Sequence, residues 1–175
     1  TRPLKVYTGT TVQGAGFNAT IITSEKAMPA LIHLDHVGGP MTQIRDLWPA
    51  GPIGGNWQCD GIWLDNCNGV TIRDCWVSAL RTGIRLDGVS DIFIHDVVYE
   101  LNQVGMTARL PELPRTMGML RLANIYGYQN YRGAIYLENL RGVQIGGWSG
   151  TGNAGTLHLK NCAQVTITGG AVNWD

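Results

Sequence analysis

Five consecutive segments of this chain restate one another at a near-constant interval of about twenty-two residues, a period that belongs to chains which stack like units. From Gly61 the sequence reads GIWLDNCNGVTIRDCWVSALRT and from Gly83 GIRLDGVSDIFIHDVVYELNQV, with starting glycines 22 residues apart. From Gly133 it reads GAIYLENLRGVQIGGWSGTGNA and from Gly155 GTLHLKNCAQVTITGGAVNWD, again 22 apart. The unit between, Gly105 to Arg132, is longer, and most of its surplus is the proline-bearing RLPELPRT (109–116), read as an inserted loop. Upstream, TQIRDLW (42–48) matches VTIRDCW (70–76) and ALIHLDHV supplies the strand before it, so the register extends back to about Ala30. PAGPIGGNWQCD (49–60) marks a second insertion.

Within each unit the apolar residues alternate as strands demand: Ile62 and Leu64, then Val70 and Ile72, with Ile84, Leu86, Ile92, Ile94, Ile135, Leu137, Val143, Ile145, Leu157, Leu159, Val165 and Ile167 as their equivalents. Stacked in register, these residues predict continuous aliphatic columns, hence an all-β solenoid of about 22 residues per coil. Helical spacing is not sustained anywhere. Two residues past the second strand's last inward position stand Asp46, Asp74, Asp96, Asn124, Gly147 and Gly169, all types that tolerate a left-handed backbone. The column is read as a sharp turn rather than as a stacked acidic site, since it ends in Asn and Gly.

Lysine plus arginine balances aspartate plus glutamate at 13 each, without a basic run, which argues against a nucleic-acid partner. No apolar stretch is long enough for a membrane span, and TRPLKVYTGTT has no signal-peptide core, so no membrane insertion is expected. The chain opens on Thr1, which suggests a processed chain or one β-helix domain (1–175) cut from a longer protein. Cys67 and Cys162 hold the same inward position four coils apart, about 19 Å at about 4.8 Å per strand step, too far to bridge. Cys75 lies in a column with Leu47, Val97 and Trp148, and no CxxC pair exists, which fits assembly in a reducing compartment.

GTTVQGAGFNATIIT (9–23), followed by coils of the form GIxLDNCxGVTIRDC, resembles the pectate-lyase-like superfamily of right-handed parallel β-helices over nearly the whole chain. Unpaired cysteines, the missing signal segment and the fragment-like ends make it most similar to bacteriophage tailspike polysaccharide depolymerases. The resemblance implies a bacterial surface polysaccharide as partner, a homotrimer, no cofactor, and a place in the virion tail or, alternatively, among secreted proteins. That superfamily spans lyases, hydrolases and epimerases without one shared catalytic motif, so the chemistry has to come from the residues.

The outward positions of the first strand form two rows: His33, Trp63, Arg85, Thr107, Tyr136 and His158, and beside them Asp35, Asp65, Asp87, Arg109, Glu138 and Lys160. Trp63 and Tyr136 offer faces for sugar rings, and Arg85, Arg109 and His158 offer donors to hydroxyls or carboxylates. Both insertions flank this strand and are positioned to wall a groove. Asp65 and Asp87 lie one coil apart, about 5 Å, and Asp87 and Glu138 two coils apart, about 9 to 10 Å. The first spacing suits a retaining and the second an inverting glycosidase, so Asp65, Asp87 and Glu138 are the candidate catalytic carboxylates. The plain alternative is that short acidic residues at the strand's end merely start the next turn on a solvated face or subunit interface, in a non-catalytic glycan-binding or structural β-helix segment of a phage tail or adhesin. A polysaccharide lyase or epimerase, with Arg85, Tyr136 or His158 in acid–base roles, also stays open. No zinc or EF-hand motif is present, and no metal is assigned.

Overall fold

The computed structural model describes residues 2–52, 58–110, 119–152 and 157–173. Among them there is no helix, and sixteen strands follow in order. They are β1 (Leu4–Val6), β2 (Thr11–Gln13), β3 (Ile21–Ile22), β4 (Ala30–Asp35), β5 (Gly38–Arg45), β6 (Trp48–Pro49), β7 (Asp60–Asp65) and β8 (Asn68–Ser78). Then come β9 (Thr82–Asp87), β10 (Ile92–Glu100), β11 (Val104–Arg109), β12 (Leu120–Tyr128), β13 (Ile135–Glu138), β14 (Arg141–Thr151), β15 (Leu157–Lys160) and β16 (Ala163–Asn173).

Every strand pairing is parallel, in one seven-stranded sheet ordered β1-β4-β7-β9-β11-β13-β15, a second ordered β2-β5-β8-β10-β12-β14-β16, and a two-stranded β3-β6. The chain alternates between the two large sheets, so the connection between parallel neighbours is a strand of the other sheet. That arrangement is consistent with a parallel β-helix. Ile62 pairs with Ile84, Ile84 with Met106 and Ile135 with Leu157, each 22 residues on, whereas Met106 pairs with Ile135, 29 residues on, across the inserted segment. The inserted segments themselves fall largely outside the described residues, at 53–57 and 111–118.

The turn column behaves as its residue types demand. Asp46, Asp74, Asp96, Asn124, Gly147 and Gly169 all have positive φ, between 52° and 66°, and bend their strands between two faces. Asn124 Nδ2 donates to Asp96 Oδ1 at 3.0 Å, tying one turn to the next. A second left-handed column (Asn66, Gly88, Asn139 and Asn161) follows the first-sheet strands directly.

The aliphatic columns face one another: Ile62, Leu64, Ile84, Leu86, Ile135 and Leu137 of the first sheet and Val70, Ile72, Ile92, Ile94, Val143 and Ile145 of the second are buried. At β15 and β16 the columns open to solvent, with Leu159 44% and Ile167 50% exposed. Cys59, Cys67 and Cys75 are buried, Cys162 is partly so, and all four thiols are free. Burial pushes the Cys75 thiol up to about 12. Gly61 and Gly83 admit no side chain, because a Cβ on either would sit 2.5 Å from the backbone oxygen of the next strand. Register places Ala134, not Gly133, opposite Gly105, so the repeat's starting glycine slips by one residue there. The parallel stack also begins earlier than Ala30, since β1 pairs with β4 and β2 with β5.

Asn102 and Asn130 are fully buried polar residues where the chain turns into the first sheet. Asn102 Nδ2 donates to the Val77 carbonyl at 2.9 Å and its Oδ1 accepts from Leu80 N at 3.1 Å. Asn130 Nδ2 donates to the Tyr99 carbonyl at 3.0 Å. These amides satisfy backbone groups that the turns leave unpaired in the interior.

Candidate functional site

The two outward rows of the first sheet pair in the order the repeat demands: His33, Trp63, Arg85, Thr107, Tyr136, His158 and Asp35, Asp65, Asp87, Arg109, Glu138, Lys160. Thr107 is the one short side chain between Arg85 and Tyr136. A gap of two strand steps, about 9 to 10 Å in backbone spacing, therefore opens over it. It forms the floor of a cleft of about 660 Å³, within the range of small-ligand sites, that Arg85, Asp87, Arg109, Tyr136, Glu138 and His158 line.

Asp65 and Trp63 do not line the cleft. Asp65 accepts a hydrogen bond from its neighbour Asn66 Nδ2 at 3.0 Å. Trp63 is packed on both faces: His33 stacks on it at 4.4 Å from the preceding strand, and the Arg85 guanidinium carbon lies 4.6 Å from its ring centre from the following one. The faces expected to receive sugar rings are thus occupied, and the indole instead donates through Nε1 to Asp87 Oδ2 at 3.0 Å. Tyr136 keeps one face available. His158 stacks on the other at 4.2 Å, and the phenol donates to the Arg132 carbonyl.

Each carboxylate in the cleft is held by cations. Asp87 Oδ2 also accepts from Arg85 Nε at 2.7 Å. Glu138 forms an ion pair with Arg109, Nε to Oε2 at 2.8 Å, and accepts a hydrogen bond from Lys160 Nζ at 2.7 Å. The Lys160 hydrogen bond first, joined by the Arg109 charge, holds the Glu138 carboxyl below the usual carboxylate range, against an opposing desolvation. Glu138 is therefore ionised at neutral pH.

The arrangement also contains a carboxylate that sequence reasoning passed over. Asp60, at the start of β7, is 0% exposed, and its two oxygens take Arg81 Nε and Nη2, each at 2.8 Å. Arg85 Nη1 lies 3.5 Å from the same carboxylate, so Arg85 bridges Asp60 and Asp87. The available signal was a lone charge opposite Ala30 and one strand step from Thr82, in a column otherwise small and neutral. Arg81, Arg132 and Lys160 complete the cleft's basic lining. Among the described residues no group of three His, Cys, Asp or Glu side chains is placed to hold a metal ion.

No protein-family model matches this chain, and no curated protein matches it. Among solved structures, the catalytic domain of a GH87 alpha-1,3-glucanase in complex with tetrasaccharides is similar over 98% of this chain and 39% of its own, with a TM-score of 0.53 at 12% identity. A Geobacillus virus E2 protein, ORF18, matches over 94% of this chain and 49% of its own, with a TM-score of 0.41 at 12% identity. The glucanase likeness shows the fold alone, and the chain spans less than half the length of either protein.

Proposed function

We propose that the chain is a right-handed parallel β-helix domain of about 22 residues per coil that binds a bacterial surface polysaccharide over Thr107 and hydrolyses it. The observation that carries this is the cleft itself, open between Arg85 and Tyr136 with Asp87 and Glu138 on opposite sides of it. Their separation of about two strand steps leaves room for a water, as inversion at the anomeric carbon requires. In this scheme Glu138 takes a proton from water as its oxygen attacks the anomeric carbon, and Asp87 gives a proton to the departing glycosidic oxygen. Tyr136 supplies a stacking face, and Arg109 and His158 donate to the sugar. Asp65, outside the cleft, has no part in this scheme. The same reading puts the chain in a phage tail as a homotrimer, as a resemblance to tailspike depolymerases implies.

A second reading, glycan binding without cleavage, is favoured by one specific observation. Asp87 Oδ2 is taken by both Arg85 Nε and Trp63 Nε1, which leaves Oδ1 alone to meet a glycosidic oxygen. The test is release of new reducing ends from capsular and O-antigen polysaccharides, alongside binding, for the parent chain, Asp87→Asn and Glu138→Gln. Cleavage lost in both variants with binding kept supports hydrolysis. Binding without new ends in the parent chain supports the second reading, and new ends carrying the ultraviolet absorbance of an unsaturated uronate overturn both in favour of a lyase.

A further inference from the structure

We infer that the cleft selects an anionic saccharide, whose charged group sits at the Tyr136–Glu138 end rather than at the Arg85 end. The inference rests on the glycan reading above and names the class of glycan.

The argument is a local charge balance. Among the lining residues, Arg81 and Arg85 face Asp60 and Asp87, two cations against two carboxylates joined by the bridging Arg85. That end is neutral, and both Asp60 oxygens and Asp87 Oδ2 are occupied. On the other side Arg109 and Lys160 pair with Glu138, and Arg132, just before β13, adds a third cation to that wall, three against one carboxylate. The excess of two positive charges stands out in a chain whose formal net charge is zero.

Donor capacity points the same way. Arg109 spends Nε on Glu138 and keeps its terminal amino groups, and Lys160 spends one of its three N–H donors. Both side chains are largely in solvent, 69% and 72% exposed, so these donors are accessible to a ligand. Arg132 lines the same end and has no carboxylate partner among the described residues. A neutral sugar hydroxyl meets these groups as a weak acceptor, whereas a carboxylate or phosphate oxygen both accepts their hydrogen bonds and cancels the excess charge. The ring bearing that group would lie on the free face of Tyr136.

The experiment is a matched-pair binding measurement on the full 175-residue chain. The probes are a panel of glucuronate-bearing capsular polysaccharides, the same polymers with their carboxyls reduced to primary alcohols, a phosphodiester-linked teichoic acid, and dextran. Carboxyl reduction is expected to weaken binding at least tenfold, and the weakening is expected to shrink in Arg132→Gln and in an Arg109→Gln/Lys160→Gln double variant. Thermal melting of each variant establishes that it is folded. If teichoic acid binds and glucuronate polymers do not, the anion is phosphate and the inference stands with that source. If reduced polymers or dextran bind as tightly as acidic ones, the charge inference is overturned while the glycan reading survives. If no probe binds, both fall.

Discussion

Replacing Arg81 should destabilise the protein more than replacing the carboxylate it holds, although the two residues form one ion pair. Asp60 is completely buried while the Arg81 side chain is 42% exposed, so losing either partner leaves a very different residue behind. In Arg81→Met the Asp60 carboxylate stays in the interior with only Arg85 Nη1, 3.5 Å away and already engaged with Asp87. Stranding a buried charge costs about 3–5 kcal/mol, and the remaining Arg85 contact lowers this to about 2–4 kcal/mol. In Asp60→Asn the guanidinium swings into water. The loss is then the charge-assisted hydrogen bonds and one poorly matched amide donor, about 1–2 kcal/mol. The measurement is urea denaturation followed by tryptophan fluorescence, comparing midpoints at equal m-value. A double variant should fall near Asp60→Asn alone, because removing the carboxylate removes the penalty of stranding it in the interior. If Asp60→Asn costs as much as Arg81→Met, burial asymmetry does not govern this pair and the reasoning fails.

Thr107→Trp should fill the cleft floor and abolish glycan binding while shifting stability by no more than about 0.5 kcal/mol, as expected of a substitution on an outward face; isothermal titration and a melt check both halves. The depressed Glu138 carboxyl implies that the acid limb of any hydrolysis profile lies below the usual carboxylate range, because the base is lost only as pH falls through its folded pKa. Lys160→Met removes the largest cause of that depression and should move the limb to higher pH, readable in kcat/KM against pH. Asn102→Ala should cost about 2–4 kcal/mol by leaving Leu80 N and the Val77 carbonyl unpaired in the interior, read as a drop in denaturation midpoint.

The rows over the first sheet were legible in the sequence because a period-two strand repeated in register leaves no freedom in which residues stack. Once Ile62 is opposite Ile84, Trp63 must neighbour Arg85 and Asp65 must neighbour Asp87. The turn column was legible for a similar reason, since Asp, Asn and Gly share tolerance of the left-handed region. What a row cannot convey is where a long side chain lies down. Trp63 between His33 and Arg85 was visible, but not that both neighbours cover its faces and turn the indole N–H onto Asp87. Asp60 was missed because it follows an insertion and breaks its column only once, while its partner Arg81 comes from a turn 21 residues later, where the repeat places no constraint. The strands β1 and β2, three residues each, carry too few alternations to show a period.

The position of the cleft along the stack also bears on how it responds to heat. Its walls come from β9, β11, β13 and β15, and among the described residues β15 is hydrogen-bonded on one side only, with its own Leu159 44% exposed. In the 175-residue chain amide exchange should accordingly be fastest at β15 and slow progressively toward β9, since a stack whose members touch only their neighbours opens from its margins inward. His158 and Lys160 would leave the site before any other wall did, taking with them the stacking partner of Tyr136 and half of the clamp on Glu138. Affinity for a ligand should then decline on warming well ahead of global melting, and a bound glycan, by holding that margin shut, should slow exchange most at the strand furthest from Asp87.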